Sequence, residues 1–143
     1  MKIAIGSDHA GYELKEGLKK YFNKANISYI DVGTDNAATS VDYPDYGKKV
    51  AMEVISKHLD FGIAICGTGI GISIAANKVK GIRAALIYDM LTAKLAKEHN
   101  NANVIAFGGR VTSLEEAIKM LDVYMNTKFD ERHQSRIDKI GKE

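Results

Sequence analysis

The sequence predicts an α/β fold, a single domain built on an open, doubly wound parallel sheet of five strands, Rossmann-like or flavodoxin-like. Helices are expected on both faces, with a charged C-terminal tail over about 128–143 that is helical over its last part. Three observations predict it. Five short apolar runs alternate with stretches of helical spacing, the order a parallel sheet needs because each crossover takes a dozen or more residues. Glycine, asparagine or aspartate punctuates most junctions. The 143 residues, 45% hydrophobic and 27% charged, have the size and composition of one globular domain, with no internal repeat, linker or low-complexity segment.

Lys2 to Gly6 reads as a short buried strand, and Ser7, Asp8, His9 and Gly11 as the turn after it. Leu14, Leu18, Tyr21 and Phe22 recur at helical spacing with Lys15, Lys19 and Lys20 on the other side, and Asn26 closes that helix. Ile27 to Val32 is the second strand, followed by a polar loop from Gly33 to Tyr43. The sole proline, Pro44, fits the first position of a helix with Tyr43 extended before it, and Tyr46, Val50, Met52, Val54 and Ile55 carry the helix on. Phe61 to Ile65 is the third strand. It runs through Cys66 and the glycines 67, 69 and 71 into a short helix marked by Ile72, Ile74, Ala75 and Ala76. Ile82 to Ile87 is the fourth strand, Met90 to Glu98 the next helix, and His99, Asn100 and Asn101 its stop. Asn103 to Phe107 is the fifth strand, ending in Gly108, Gly109 and Arg110. Ser113 and Glu116 form a capping box for a helix reaching about Thr127.

Composition excludes several classes. A net charge of +2 without a basic, aromatic-interleaved stripe does not describe a nucleic-acid reader. No apolar run is long enough to span a membrane, and the N-terminus lacks the apolar stretch of a secretory signal, so the expected compartment is the cytoplasm. One cysteine and four scattered histidines offer neither an intramolecular disulfide nor zinc-ligand spacing, so no metal is expected. Gly6 and Gly11 have Walker A spacing, but Tyr12 and Glu13 stand where lysine and a hydroxyl are required. Gly67, Gly69 and Gly71 begin like a dinucleotide fingerprint, yet Ile72 replaces the third glycine and the loop follows the third strand. Only four of the 20 basic residues are arginine, Arg83, Arg110, Arg132 and Arg136; each is a position worth placing, because a guanidinium grips phosphate with a planar fork.

In doubly wound folds ligands bind beyond the carboxyl ends of the strands, where Asp8, His9, Cys66 to Gly71 and Arg110 all fall. His99 and Asn100 precede the fifth strand and fall outside that crevice. The sequence CGTGIG can cradle an oxyanion, since glycines let amides approach a ligand and a helix N-terminus follows. A thiolate beside such amides can abstract a proton next to a carbonyl. Cys66 also fits the plainer description of a small core residue at a strand end, with glycines that only turn the chain, and the residues alone leave both open.

Cys66 to Lys78 (CGTGIGISIAANK), GSDHAG near the N-terminus, DYPDY from Asp42, EHNNANV from Glu98 and RHQSRI in the tail together closely resemble the type B ribose-5-phosphate isomerases. The related galactose-6-phosphate and allose-6-phosphate isomerases share much of the pattern. The resemblance spans essentially the whole chain. It implies aldose–ketose interconversion of a sugar phosphate through a cis-enediol, without metal or cofactor. It makes Cys66 the base between C1 and C2, with Gly67, Thr68, Gly69, Ile70 and Gly71 holding the enediolate. His99 becomes the acid that opens the furanose, and Asp8 its aid at the sugar hydroxyls. His9, Arg110, Arg132 and Arg136 would surround the phosphate, Arg132 and Arg136 lying four apart on one helix face, with Asn100 and Tyr43 on the sugar. One branch of the family places its base as a glutamate where this chain has Ile72, so the resemblance points to the cysteine branch. Family members are dimers or dimers of dimers with shared sites, which implies a homo-oligomer in which His99 and the tail serve a neighbouring subunit. His133 is left between a phosphate contact and solvent. Pentose against hexose phosphate is open, and a non-catalytic phospholigand-binding domain is the rival from another class.

Overall fold

The computed structural model describes residues 1–142. Five parallel strands, β1 (Lys2–Ser7), β2 (Ser28–Asp31), β3 (Phe61–Cys66), β4 (Ala84–Leu86) and β5 (Val104–Gly108), lie in the order β2-β1-β3-β5-β4. Between and after them run α1 (Tyr12–Ala25), α2 (Tyr43–Ser56), α3 (Ile70–Ala76), α4 (Met90–Glu98), α5 (Leu114–Met125) and α6 (Gln134–Ile140). The doubly wound α/β fold read from the sequence is the one observed.

Strand parity builds two unequal cores. Ile3 and Ile5, Phe61, Ile63 and Ile65, and Ile105 and Phe107 point to one face, where Leu14, Leu18 and Phe22 of α1, Ala93 and Ala96 of α4 and Met120 and Leu121 of α5 cover them. The alternate positions are small. Ala4, Ala64 and Ala106 share the other face with Cys66, beneath Val50, Ala51 and Val54 of α2 and Ile72 and Ala76 of α3. Gly62 belongs to this thin side as well, for a Cβ there would lie 2.7 Å from Val50. Small residues let α2 and α3 sit close to the sheet, which brings their first turns over the carboxyl end of β3.

Three local expectations change. Tyr43 is not extended: Asp42 occupies the N-cap with φ −90° and ψ 117°, so Tyr43 is the first helical residue and Pro44 the second, where its missing N–H again costs nothing. β4 is only the three residues Ala84–Leu86, and asparagine side chains bond the main chain at its start. Asn77 accepts the Ala84 N–H at 2.7 Å and donates to Ala84 O at 2.9 Å, and Asn103 accepts the Arg83 N–H at 2.7 Å. Arg132 stands in a 3-10 turn (Glu131–His133), not on one continuous helix with Arg136. Asn26 does close α1, in the left-handed region at φ 56°.

Candidate active site

At the carboxyl ends of β1, β3 and β5 three loops are stitched together by main-chain hydrogen bonds. Asp8 N–H donates to Ile65 O at 3.2 Å, Gly109 N–H to Cys66 O at 2.7 Å and Arg110 N–H to Gly67 O at 3.0 Å. Gly109 has no room for a side chain, since a Cβ would lie 2.6 Å from Ala10 O. Backbones this close leave little freedom to the side chains they carry.

Cys66 ends β3 on the α2–α3 face and is 5% exposed. Its Sγ accepts the N–H of Gly69 at 3.2 Å. Gly69 adopts φ 80°, the left-handed region, and a Cβ there would meet the Leu86 side chain at 2.6 Å and the Phe107 carbonyl carbon at 2.8 Å. Thr68 is exposed beside it, its Oγ1 accepting the Ile70 N–H at 3.2 Å. The glycines on either side are walled by side chains: a Cβ on Gly67 would sit 3.0 Å from Arg110 Nη1, and one on Gly71 2.5 Å from the Tyr43 ring. Asp8 is buried, and its Oδ1 accepts the N–H groups of Ala10 at 3.0 Å and Gly11 at 3.1 Å. His9 accepts the Val41 N–H on Nδ1 at 3.1 Å, which in the neutral ring puts its proton on Nε2 and ties the loop after β2 to this end of the sheet. Asp8, His9, Tyr43, Cys66, Gly67, Thr68, Gly69, Ile70, Gly71 and Arg110 therefore belong to one end of one chain.

His99, Asn100, Arg132 and Arg136 belong to the other end. They line a cleft of about 450 Å³ with His133, Ile137 and Ile140, below the start of β5. The five residues of β5 separate it from the cysteine loop by roughly 16 Å of strand. The tail reaches this end through Asp130, whose N–H donates to Glu98 O at 2.9 Å and whose carboxylate pairs with Arg132 Nε at 2.9 Å. His133, unresolved from the sequence, is central here. Its ring lies 4.2 Å from that of His99, centroid to centroid, and its Nδ1 takes an N–H of Arg136 at 3.1 Å. Burial, reinforced by His99, Arg132 and Arg136, holds His133 below the usual imidazole range. With Nδ1 accepting, the neutral ring carries its proton on Nε2, a buried atom without a partner among the described residues. The signal for its place was its position between two arginines four apart.

The cysteine end has a sulfur, directed amides and a carboxylate, with His9 and Arg110 beside them; the other has the paired imidazoles of His99 and His133 and the guanidiniums of Arg132 and Arg136. The first suits proton transfer at carbon, the second an anion and an oxygen leaving group. Among the described residues no group of three or more His, Cys, Asp or Glu converges as metal ligands would, and no helix is long and apolar enough to cross a membrane.

Comparison with known proteins places the chain in a family. Residues 3–140 match the family model described as Ribose/Galactose Isomerase. Ribose-5-phosphate isomerase B of Escherichia coli K12 is 43% identical over 140 residues, covering 97% of this chain and 93% of that protein. A ribose 5-phosphate isomerase from Thermotoga maritima superposes with a TM-score of 0.96 at 50% identity, covering 99% of this chain and 98% of that one. Ribose-5-phosphate isomerase B of Clostridium thermocellum does so with a TM-score of 0.94, also at 50% identity, covering 99% and 95%. With model, sequence and structure in agreement over nearly the full length, the chain belongs to the ribose/galactose isomerase family, alongside the type B ribose-5-phosphate isomerases.

Proposed function

We propose that this isomerase interconverts D-ribose 5-phosphate and D-ribulose 5-phosphate through an enediolate, with Cys66 as the base, in a site completed by a second copy of the chain. The observation that carries the reading is Cys66 Sγ facing the Gly69 N–H at 3.2 Å in a glycine loop at the carboxyl end of the sheet. An N–H donated to sulfur solvates negative charge there, and the neighbouring amides can do the same for an oxyanion.

The steps divide between the two ends. His99 of the partner subunit gives a proton to the ring oxygen as the bond from C1 to that oxygen breaks, and the anomeric hydroxyl passes its proton to Asp8 as it becomes the C1 carbonyl. Asp8, with Oδ1 already engaged by two amides, has Oδ2 for the sugar hydroxyls. The Cys66 thiolate then takes the C2 proton and the electron pair moves onto the carbonyl oxygen. The amides of Gly67, Gly69, Ile70 and Gly71 and the Thr68 hydroxyl hold that charge. A proton passes from the C2 hydroxyl to the C1 oxygen, and Cys66 returns its proton to C1, leaving the ketose. Tyr43 and Asn100 bound the sugar, and His9, Arg110, Arg132 and Arg136 enclose the phosphate.

Supply from a partner is what makes one pocket of these residues, because within one chain His99, Arg132 and Arg136 lie beyond the opposite end of β5 from Cys66. The test is turnover of ribose 5-phosphate with EDTA present, together with exchange of the C2 proton in deuterated water. Ketose formation and exchange are expected. Turnover only on a hexose 6-phosphate would move the substrate within the family, and binding without exchange would point to a non-catalytic domain.

A further inference from the structure

Arg83, outside every site described above, grips the turn that presents His99 and Asn100. Its Nε donates to Asn100 O at 3.1 Å and Asn101 O at 3.3 Å, and its Nη2 donates to Asn101 O at 2.8 Å. These carbonyls follow the C-terminus of α4, the negative end of the helix dipole, where a fixed cation is favoured. Asn101 turns the chain at φ 43°, a left-handed conformation asparagine adopts more readily than most residues with a side chain, and Arg83 clasps the turn it makes. Arg83 is itself fixed, since its N–H donates to Asn103 Oδ1 at 2.7 Å and Asn103 Nδ2 donates to Gly81 O at 2.9 Å.

His99 has little else to hold it. Its ring leans on His133, and Glu98 Oε1 stands 3.5 Å from Nε2. Its direction is therefore set by the backbone immediately before the two clasped carbonyls. A guanidinium spans both with its fork; an ammonium could reach one. Lys97 cannot substitute, because it is committed to Asn101 Oδ1 at 3.1 Å.

We propose that Arg83 is a positioning residue for sugar-ring opening, holding the Asn100 and Asn101 carbonyls so that the His99 imidazole meets the ring oxygen. The proposal rests on the reading of His99 as the ring-opening acid. A histidine displaced by about 1 Å can lose about 100-fold in rate.

The two halves of the reaction can be read separately. Ribose 5-phosphate enters as a furanose and must be opened, whereas ribulose 5-phosphate is acyclic because its O5 is esterified. Exchange of its C1 proton with deuterated water then needs Cys66 but no ring opening. For Arg83→Met, kcat on ribose 5-phosphate should fall by about 10- to 100-fold with KM changed less than about threefold. C1 exchange on ribulose 5-phosphate should stay within about threefold of the parent. Arg83→Lys, which keeps charge and bulk if the methionine variant folds poorly, should lie between the two. Equal loss in both measurements, in either variant, would mean general structural damage and overturn the proposal, as would unchanged turnover on ribose 5-phosphate. His99→Asn is the control. If it spares ring opening, the assignment of His99 falls; if it blocks ring opening while the Arg83 variants do not, only the role of Arg83 falls.

Discussion

Gly69 gives the most local test of how the site is built. A methyl group there must occupy space held by Leu86 and the Phe107 main chain, on a backbone already at φ 80°. Gly69→Ala should lower unfolding free energy by about 1–3 kcal/mol in urea denaturation and also displace the N–H directed at Cys66 Sγ. Cys66→Ala touches no such constraint. It should lower kcat by at least about 10³-fold while leaving the protein folded and sugar-phosphate binding, followed by calorimetry, within a few-fold of the parent. Near-normal turnover would remove Cys66 as the base. The cysteine loop was legible in the sequence because its chemistry is contiguous, Cys66 through Gly71. His133 and Arg83 were not, because their partners are set by the folded tail and by the turn after α4. An isolated arginine between Ile82 and Ala84 gives no sign that it will reach Asn100 and Asn101.

Among the elements, the junction of α1 with β2 holds an ion cluster that sets acid stability. Lys15, 1% exposed, lies 2.6 Å from Asp31 and 3.3 Å from Glu16, and Lys19 pairs with both carboxylates. Burial alone would raise the Asp31 carboxyl, but hydrogen bonds from Lys15, Lys19 and the Gly33 N–H outweigh it and hold the group below the usual carboxylate range. Glu16 is likewise lowered, burial being overcome by Lys19 and Lys15. A carboxyl depressed on folding contributes stability that is complete above its unfolded value and disappears as pH falls through its folded one. Stability should thus be flat near neutrality and drop below about pH 4. Asp31→Asn should cost about 2 kcal/mol at pH 7 and make the acid limb shallower, by thermal denaturation across pH 3–7. The same cluster anchors the loop bearing Val41, since Asp31 Oδ1 accepts the Gly33 N–H at 2.9 Å. Lys15 read from the sequence as the polar side of a helix; only the return of the chain as β2 makes it interior. Tyr43 misled for a related reason, because a residue before proline prefers extended backbone and the cap at Asp42 overrode that preference.

For the whole molecule, the alternation of strands and helices made the parallel sheet legible, but not the order β2-β1-β3-β5-β4, which depends on non-local pairing. Sheet direction was enough to put the cysteine loop at one end and His99 at the other, and the structure keeps them there. Cys66→Ala and His99→Asn should each inactivate the enzyme. Refolded together in equal amounts, half the dimers would be mixed and each mixed dimer would hold one intact pocket, so activity should recover to about a quarter of the parent. No recovery would place a complete site within one chain. The length of β5 then acquires a meaning in kinetics. A lone chain has both sets of groups and no pocket that unites them, so specific activity should decline on dilution toward the dissociation constant of the pair. With the site shared as proposed, a newly made subunit would be silent, and catalysis would begin only when it encounters its twin.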